Sequence, residues 1–389
     1  MAAQGGDSRR GAGKPSATAS AETAPREAAR TGEPRASRAG AKKTAPANGT
    51  PSEKSTNVRS GKKRTNVRAQ KEAAPAAEKE TNVRAFSGAD APPSTEAIHP
   101  WSHALDRLPV EDVVALLVDE EERSWRAARR ARPAIARAAQ LVADQLAEGG
   151  RIIYVGAGTS GRLGALDAAE LPPTFGLAPS RAIAIVAGGQ RALAEAVEGA
   201  EDRPADAKRA LLRIAVDERD VVCAIAASGM TPFTRAALEE AAEWGAARIF
   251  VTSSRVAARE VARAGVTVIL LDTGPELIAG STRLKSATAT KLALNAMTTA
   301  AMVRLGKVWR GRMIGLVATN DKLRARARRI VVDLGRVDEA RADKLLDNAR
   351  GDVKVALAAA LLGVPVSEAA RRLAAAGDQL ANLLRGSNR

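Results

Sequence analysis

Arg151-Ile152-Ile153-Tyr154-Val155 runs straight into Gly156-Ala157-Gly158-Thr159-Ser160-Gly161-Arg162, and this junction decides the fold. Five residues of unbroken apolar character are the length and composition of a strand buried on both faces. The glycine-rich turn that follows lets backbone approach a ligand closely. It opens a helical pattern whose first N–H groups and positive dipole end would face that ligand. Thr159 and Ser160 add hydroxyl donors. Together these features favour a phosphate.

The same rhythm repeats downstream. Ala182 to Val186, Val221 to Ala226, Arg248 to Thr252 and Val266 to Leu271 each read as a buried strand. Gly161 to Ala169, Arg191 to Gly199, Thr231 to Trp244 and Ser254 to Ala264 read as the helices between them. Strands alternating with helices imply a doubly wound parallel α/β sheet flanked by helices on both faces. In such a sheet ligands sit at the carboxyl ends of the strands. A second loop there, Ala227-Ser228-Gly229-Met230-Thr231-Pro232, again combines glycine with hydroxyls, and Pro232 is placed for a first helical turn. A dinucleotide fingerprint fits poorly, because no acidic residue follows a second strand at the right place. A P-loop lacks its G-K-[ST] ending.

Working outward, Val110 to Glu148 shows helical spacing consistent with two amphipathic helices, the charged run from Glu120 to Arg132 being a solvated face. A long helix is expected from Ser286 to Leu305. Asn320 to Arg385 reads as short helices broken at Gly351, Gly363 and Pro365. Three regions result: a basic low-complexity tail over 1–93, a sheet domain with N-terminal helices over 94–318, and a small helical domain over 319–389.

Composition narrows the function. The chain is 45 % apolar but only 2 % aromatic, so its apolar mass suits helices packed on a sheet rather than a base-stacking surface. One Cys and two His leave no Cys/His set for a structural zinc and no disulfide framework. Cys223 lies inside an apolar strand and is expected to be buried, and His99 and His103 have no metal-ligand pattern around them. No signal peptide or apolar run of spanning length is visible, which points to the cytoplasm and away from the membrane. The net charge of +16 is unevenly spread: residues 1–95 hold 18 Lys and Arg against 9 Asp and Glu. The tail is too poor in branched aliphatics to offset chain entropy and is expected to be disordered. It repeats one word three times, at Thr56 to Arg59, Thr65 to Arg68 and Thr81 to Arg84. Local duplication and a reused linear motif both account for this. Nucleic-acid or protein binding by the basic tail is an open accessory role.

Tyr154 to Gly164, continuing through Leu166-Asp167-Ala168-Ala169-Glu170-Leu171-Pro172-Pro173-Thr174-Phe175-Gly176, resembles the signature of the N-acetylmuramic acid 6-phosphate etherases of the sugar isomerase (SIS) fold. The resemblance continues at Glu198-Gly199-Ala200-Glu201-Asp202, Ala226 to Pro232, Gly274-Pro275-Glu276, Gly280 to Lys285, Arg304 to Val308 and Ala318 to Leu323. It covers roughly residues 94–385. It implies a SIS-type sheet, a sugar-phosphate substrate, no metal or redox cofactor, and a homodimer with sites near the subunit interface. It also implies catalytic carboxylates at Glu170 and Glu201, with Glu170 the acid toward the ether oxygen and Glu201 best placed to act at C2. Read without the resemblance, Glu170-Leu171-Pro172-Pro173 is a helix stop. Substrate binding is assigned to Gly158, Thr159, Ser160, Ser228, Gly229 and Thr231, with Ser281 and Thr282 as further positions. Lys285 and Lys291 could add charge, although lysines near helix ends are usually solvated. Met230 stands where the family usually has Arg, and Ser286-Ala287-Thr288-Ala289-Thr290 replaces a more glycine-rich segment. Competing readings are a sugar-phosphate isomerase and a sugar-phosphate-sensing regulator on the same fold.

Overall fold

The computed structural model describes residues 96–316 and 320–386. The expected tail over 1–93, its three repeats and the boundary at 318/319 lie outside the described residues.

Three helices come first: α1 (Val110–Glu120), α2 (Glu122–Arg130) and α3 (Arg132–Ala147). The single break expected in this region is in fact two. Pro133 at the start of α3 has no N–H to continue the preceding helix, and the joints fall at Glu121 and Ala131. Strands and helices then alternate: β1 (Ile152–Gly156), α4 (Gly158–Phe175), β2 (Ala182–Val186), α5 (Pro204–Arg213), β3 (Val221–Ile225), α6 (Pro232–Glu243), β4 (Ala247–Thr252), α7 (Arg255–Ala262) and β5 (Thr267–Leu270). The long helix α8 (Lys285–Arg304) follows.

All five strands are parallel, in the order β2-β1-β3-β4-β5. Alternate residues divide between the faces, as the pleat requires. Ile152, Tyr154, Cys223, Ile249 and Ile269 pack with α3, α4 and α8 on one side. Ile153, Val155 and Val222 pack with α5 and α6 on the other, and Ala224 and Phe250 pack with α6 and α7. Cys223 is fully buried in this core, as its apolar surroundings suggest.

Two expected helices need correction. Arg191–Gly199 is only a single 3-10 turn over Gln190–Leu193 followed by irregular backbone. Its residues are good helix formers, but Arg162 takes the Leu193 and Glu195 carbonyls with its guanidinium (3.3 and 2.7 Å), so those oxygens serve a tertiary contact instead. The true helix of this crossover is α5, which begins at Pro204. The expected stop at Pro172 also fails: α4 runs through Pro172 and Pro173 and ends where Gly176 turns left-handed at φ 66°.

Beyond α8 a short hairpin pairs β6 (Val308–Trp309) with β7 (Arg312–Met313) through positive-φ Arg310 and Gly311, an element the sequence reading does not contain. Helices α9 (Asp321–Gly335), α10 (Glu339–Asn348), α11 (Val353–Leu362), α12 (Val366–Ala375) and α13 (Leu380–Gly386) share their own apolar cluster, which includes Ile314, Val331, Leu345, Leu357 and Leu373. Among the described residues no single helix is long and apolar enough to cross a membrane.

Candidate active site

Because the strands are parallel, their carboxyl ends share one edge. Register places Gly156 beside Val186 on one side and Ile225 on the other. The chain steps from β1 outward to β2, then back past β1 to β3, so the crevice of the sheet opens between β1 and β3. Neighbouring strands lie about 4.8 Å apart, which makes the two glycine- and hydroxyl-bearing loops direct neighbours.

The first loop is built for close approach. A Cβ on Gly156 would sit 2.7 Å from the Gly161 nitrogen, and one on Gly161 would sit 2.6 Å from the Gly156 oxygen. Strand end and helix start can therefore touch only as glycines. No side chain caps α4 and no acid lies in its first turn, so its leading N–H groups are left for an anion. Thr159 and Ser160 are half-buried beside them, and Gly158 is exposed.

The second loop is clasped from behind. Gly229 is buried at φ 75°, and its carbonyl accepts from Arg235 Nε at 3.0 Å; that arginine also reaches Glu260 at 2.8 Å. Ser228 Oγ accepts the Met230 N–H at 3.3 Å, leaving its own proton to donate. Thr231 precedes α6 without capping it by its side chain. Met230 itself is exposed.

Glu201 belongs to the same edge. It lies in the loop between β2 and α5, and its carbonyl accepts the Phe233 N–H of α6 at 3.0 Å. Its backbone is thereby tied to the helix that begins at the second loop. Ser281 and Thr282 lie in the loop from β5 to α8, on the same edge but three strand positions from β1.

Glu170 is not brought to this edge. It is exposed on α4, twelve residues beyond Gly158, which is about 18 Å along a helix that runs away from the strand ends. Neither Glu170 nor Glu201 makes a side-chain hydrogen bond or ion pair to the described residues. The turn that carries Glu170 is unusual: Pro172 and Pro173 have no N–H for the carbonyls of Ala168 and Ala169. Asp167, one turn earlier, is almost fully buried and ties this helix to the sheet and to α8. Tyr154 Oη donates to its Oδ2 at 2.5 Å, and Thr298 Oγ1 lies 3.4 Å from its Oδ1. Burial raises the Asp167 carboxyl above its ordinary range; the Tyr154 bond and Lys291 oppose that rise, and Glu170 adds to it.

Sequence reasoning missed the group that holds the β5–α8 loop. Glu276 is fully buried and accepts the N–H groups of Ser286 (2.8 Å) and Lys285 (3.2 Å), so it caps α8 from outside the helix. Lys285, expected to be solvated, is buried. Its ammonium donates to Glu120 at 2.8 Å and to the Pro275 carbonyl at 2.6 Å. His99 Nε2 stands 3.2 Å from the same Glu120 carboxylate. Burial pushes the His99 imidazole down; Glu120 pulls it back up, while Lys285 and Arg123 add to the fall. Burial alone would raise Glu120, but the hydrogen bond and charge of Lys285, with Arg123, hold it below the ordinary carboxylate range. No local pattern flags this cluster, because Glu120 and Lys285 at its centre are 165 positions apart.

Among the described residues no group of three His, Cys, Asp or Glu is placed to hold a metal.

Residues 134–242 match the profile of the glucokinase regulatory protein N-terminal SIS domain. An N-acetylmuramic acid 6-phosphate etherase of Deinococcus radiodurans is 43 % identical over 293 residues, covering 75 % of this chain and 95 % of that protein. One of a Picosynechococcus species is 45 % identical over 275 residues, covering 71 % and 91 %. A solved phosphoheptose isomerase from Neisseria gonorrhoeae aligns with a TM-score of 0.39 at 18 % identity, over 50 % of this chain and 98 % of that one.

Proposed function

The chain belongs to the N-acetylmuramic acid 6-phosphate etherases, and from that premise we propose how its own residues divide the work. The reaction is a carbon–oxygen lyase step. It cleaves the D-lactyl ether and adds water, giving N-acetylglucosamine 6-phosphate and D-lactate.

The anionic end of the sugar binds at the shared strand edge, held by the free N–H groups of α4 with Thr159, Ser160, Ser228 and Thr231. The observation that carries this reading is the pairing of two uncapped, hydroxyl-bearing helix starts on adjacent strands with Glu201 tied to one of them. Gly158 and Gly229 let the backbone approach, and Ser281 and Thr282 close the far side. The C2 proton becomes acidic once C1 is an open-chain aldehyde, and the Glu201 carboxylate removes it. Glu170, as the carboxylic acid, protonates the ether oxygen on C3 as the bond breaks. Water then adds across the unsaturated aldehyde. One carboxyl must be ionised and the other protonated, so they need different surroundings.

The protein works in the cytoplasm as a homodimer. Support for a partner surface comes from a groove of about 590 Å³ between α2, α3 and α8, floored by Ala128, Ile135, Ala296 and Ala300 and edged by exposed Trp125 and Leu292. The helices from Asn320 onward form a small C-terminal domain around their own core.

Lactate release from N-acetylmuramic acid 6-phosphate tests the assignment. Wild type should release lactate, while Glu170→Gln and Glu201→Gln should each lose at least a hundredfold in kcat. Folded wild type that binds the sugar phosphate without releasing lactate would leave a sensor as the better description.

A further inference from the structure

We propose that the outer edge of β2 is a docking site for an acidic, extended segment of another protein, which adds to the sheet as a further strand between α4 and α5. This site owes nothing to the etherase chemistry at the carboxyl edge.

Among the described residues β2 ends the sheet, with β1 on its inner side and no strand beyond it. Its ladder groups can be assigned by parity. The Ala187 N–H donates to the Gly156 carbonyl of β1 at 3.0 Å, and in a parallel pair the groups aimed at one neighbour recur every second residue. Ile183 and Ile185 therefore turn their backbone groups to β1, while Ala182, Ala184 and Val186 turn theirs outward. The Val186 carbonyl is taken by the Gly189 N–H at 2.8 Å. The Ala184 N–H and carbonyl, the Ala182 carbonyl and the Val186 N–H are left without a partner among the described residues. Natural edge strands are often blunted by lysine, proline or a bulge. Ala182-Ile183-Ala184-Ile185-Val186 has none of these and pairs with β1 in unbroken register.

The edge lies in a groove of about 800 Å³, lined by Ile183 to Val186. Ala165 of α4 stands on one side, and Arg209, Ala210 and Arg213 of α5 stand on the other. The space between the two helices is where a neighbouring strand would run. Five residues of β2 span about 17 Å, which sets the length of segment the edge can pair. Extended segments that add to an open edge draw affinity from main-chain hydrogen bonds and specificity from alternate side chains.

Charge decides the occupant. Arg203, Arg209 and Arg213 line the groove against a single acid, Asp206, and all three arginines are exposed. Asp206 is already held by Arg209 in an ion pair. The Arg203 and Arg213 side chains have no hydrogen bond or ion pair among the described residues. Positions 206, 209 and 213 share one face of α5, so an added strand meets its arginines in a row. Every second side chain of that strand points to the row. Acids at those positions would form charge-assisted pairs with the arginines, and small apolar residues between them would meet Ala165. A second copy joined edge to edge would instead set α5 beside α5, arginine against arginine. The chain's own N-terminal segment is no better suited, with 18 Lys and Arg against 9 Asp and Glu in residues 1–95.

Fluorescence anisotropy with the full-length protein tests this, using a short labelled peptide of alternating Glu and Val in about 0.15 M salt. Wild type should bind it saturably. The double variant Arg209→Glu, Arg213→Glu changes only exposed side chains and should weaken binding at least about tenfold. Backbone contact is tested by N-methylating the peptide at a central Glu or at the neighbouring Val. Only one of those two amides can face β2, so one methylated peptide should lose at least about tenfold in affinity and the other should keep it. No saturable binding, binding indifferent to the arginine substitutions, or equal behaviour of the two methylated peptides overturns the proposal. Hydrogen exchange gives a second readout. The Ala184 and Val186 amides should exchange freely in the protein alone and slow at least about tenfold with peptide. Amides that ignore the peptide overturn the proposal. So does protection already present without it: protection lost on dilution would give the edge to a second copy, and protection that persists would give it to the chain's own N-terminal segment.

Discussion

Replacing Gly229 by Ala tests whether the second loop owes its shape to a glycine or merely tolerates one. Two costs add. At φ 75° an L-residue takes on roughly 1–2 kcal/mol of left-handed strain. The new methyl would also fall inside the van der Waals shell of Ala257 Cβ, with Thr252 Oγ1 at 3.3 Å and Ser254 Cβ at 3.4 Å behind it. Overpacking of that kind costs about 1–3 kcal/mol, because α7 must move or the loop must lift. The sum is about 2–5 kcal/mol, or roughly 5–15 °C in Tm for a folded unit of this size. Lifting the loop also displaces Ser228 and Thr231, so kcat/KM should fall about 10- to 100-fold. Gly158→Ala is the internal control: φ is 51° there, but nothing lies within 4 Å of the added carbon. It should show the backbone strain alone, about 1–2 kcal/mol. Scanning calorimetry on both variants, with lactate kinetics alongside, separates the two costs. If Gly229→Ala melts with Gly158→Ala and keeps wild-type kcat/KM, the close packing of the loop on α7 is irrelevant to the site and the reasoning fails.

Lys285→Met leaves the half-buried Glu120 with only Arg123 and His99 beside it, and should cost about 1.5–3 kcal/mol in urea unfolding; a loss under about 0.5 kcal/mol would mean the ammonium is dispensable. His99 has its imidazole pKa depressed in the fold, so the unfolded chain binds more protons below the ordinary value of 6.5. The stability this contributes is complete above pH 6.5 and is lost as pH falls below it. His99→Gln should therefore show a flatter urea midpoint between pH 6.5 and 5 than wild type, and parallel curves would refute the link. Burial raises the Cys223 thiol far above its ordinary value, so iodoacetamide at pH 8 should label it only after unfolding.

The sheet was legible because its strands are buried on both faces, and unbroken apolar runs such as Val221 to Ile225 have no other comfortable state. All five strands fall within about a residue of the runs read from sequence. The helices were less legible where tertiary contacts override local preference. Arg162 unwinds a good helical stretch by taking its carbonyls, and α4 passes two prolines that should have ended it to stop only where Gly176 turns left-handed. For the site, the two loops could be read because glycine and hydroxyls at strand ends have a local meaning. The relation between Glu170 and Glu201 could not. They are close in sequence, but a helix and a strand between them place them at different edges. The cluster of His99, Glu120, Glu276 and Lys285 was invisible for the opposite reason, since folding assembles it from three distant segments.

In the proposed assignment, the hydrogen bond from the Phe233 amide to the Glu201 carbonyl would make the phosphate more than an anchor. Helix α6 starts where the loop of Ser228 and Thr231 ends, so a pull on those residues would be transmitted to Glu201, the proposed base at C2. Affinity gained at a group that never reacts is thus converted into aim at the one that does. The unphosphorylated sugar would be a sluggish substrate even at saturation, turning over slowly as well as binding weakly.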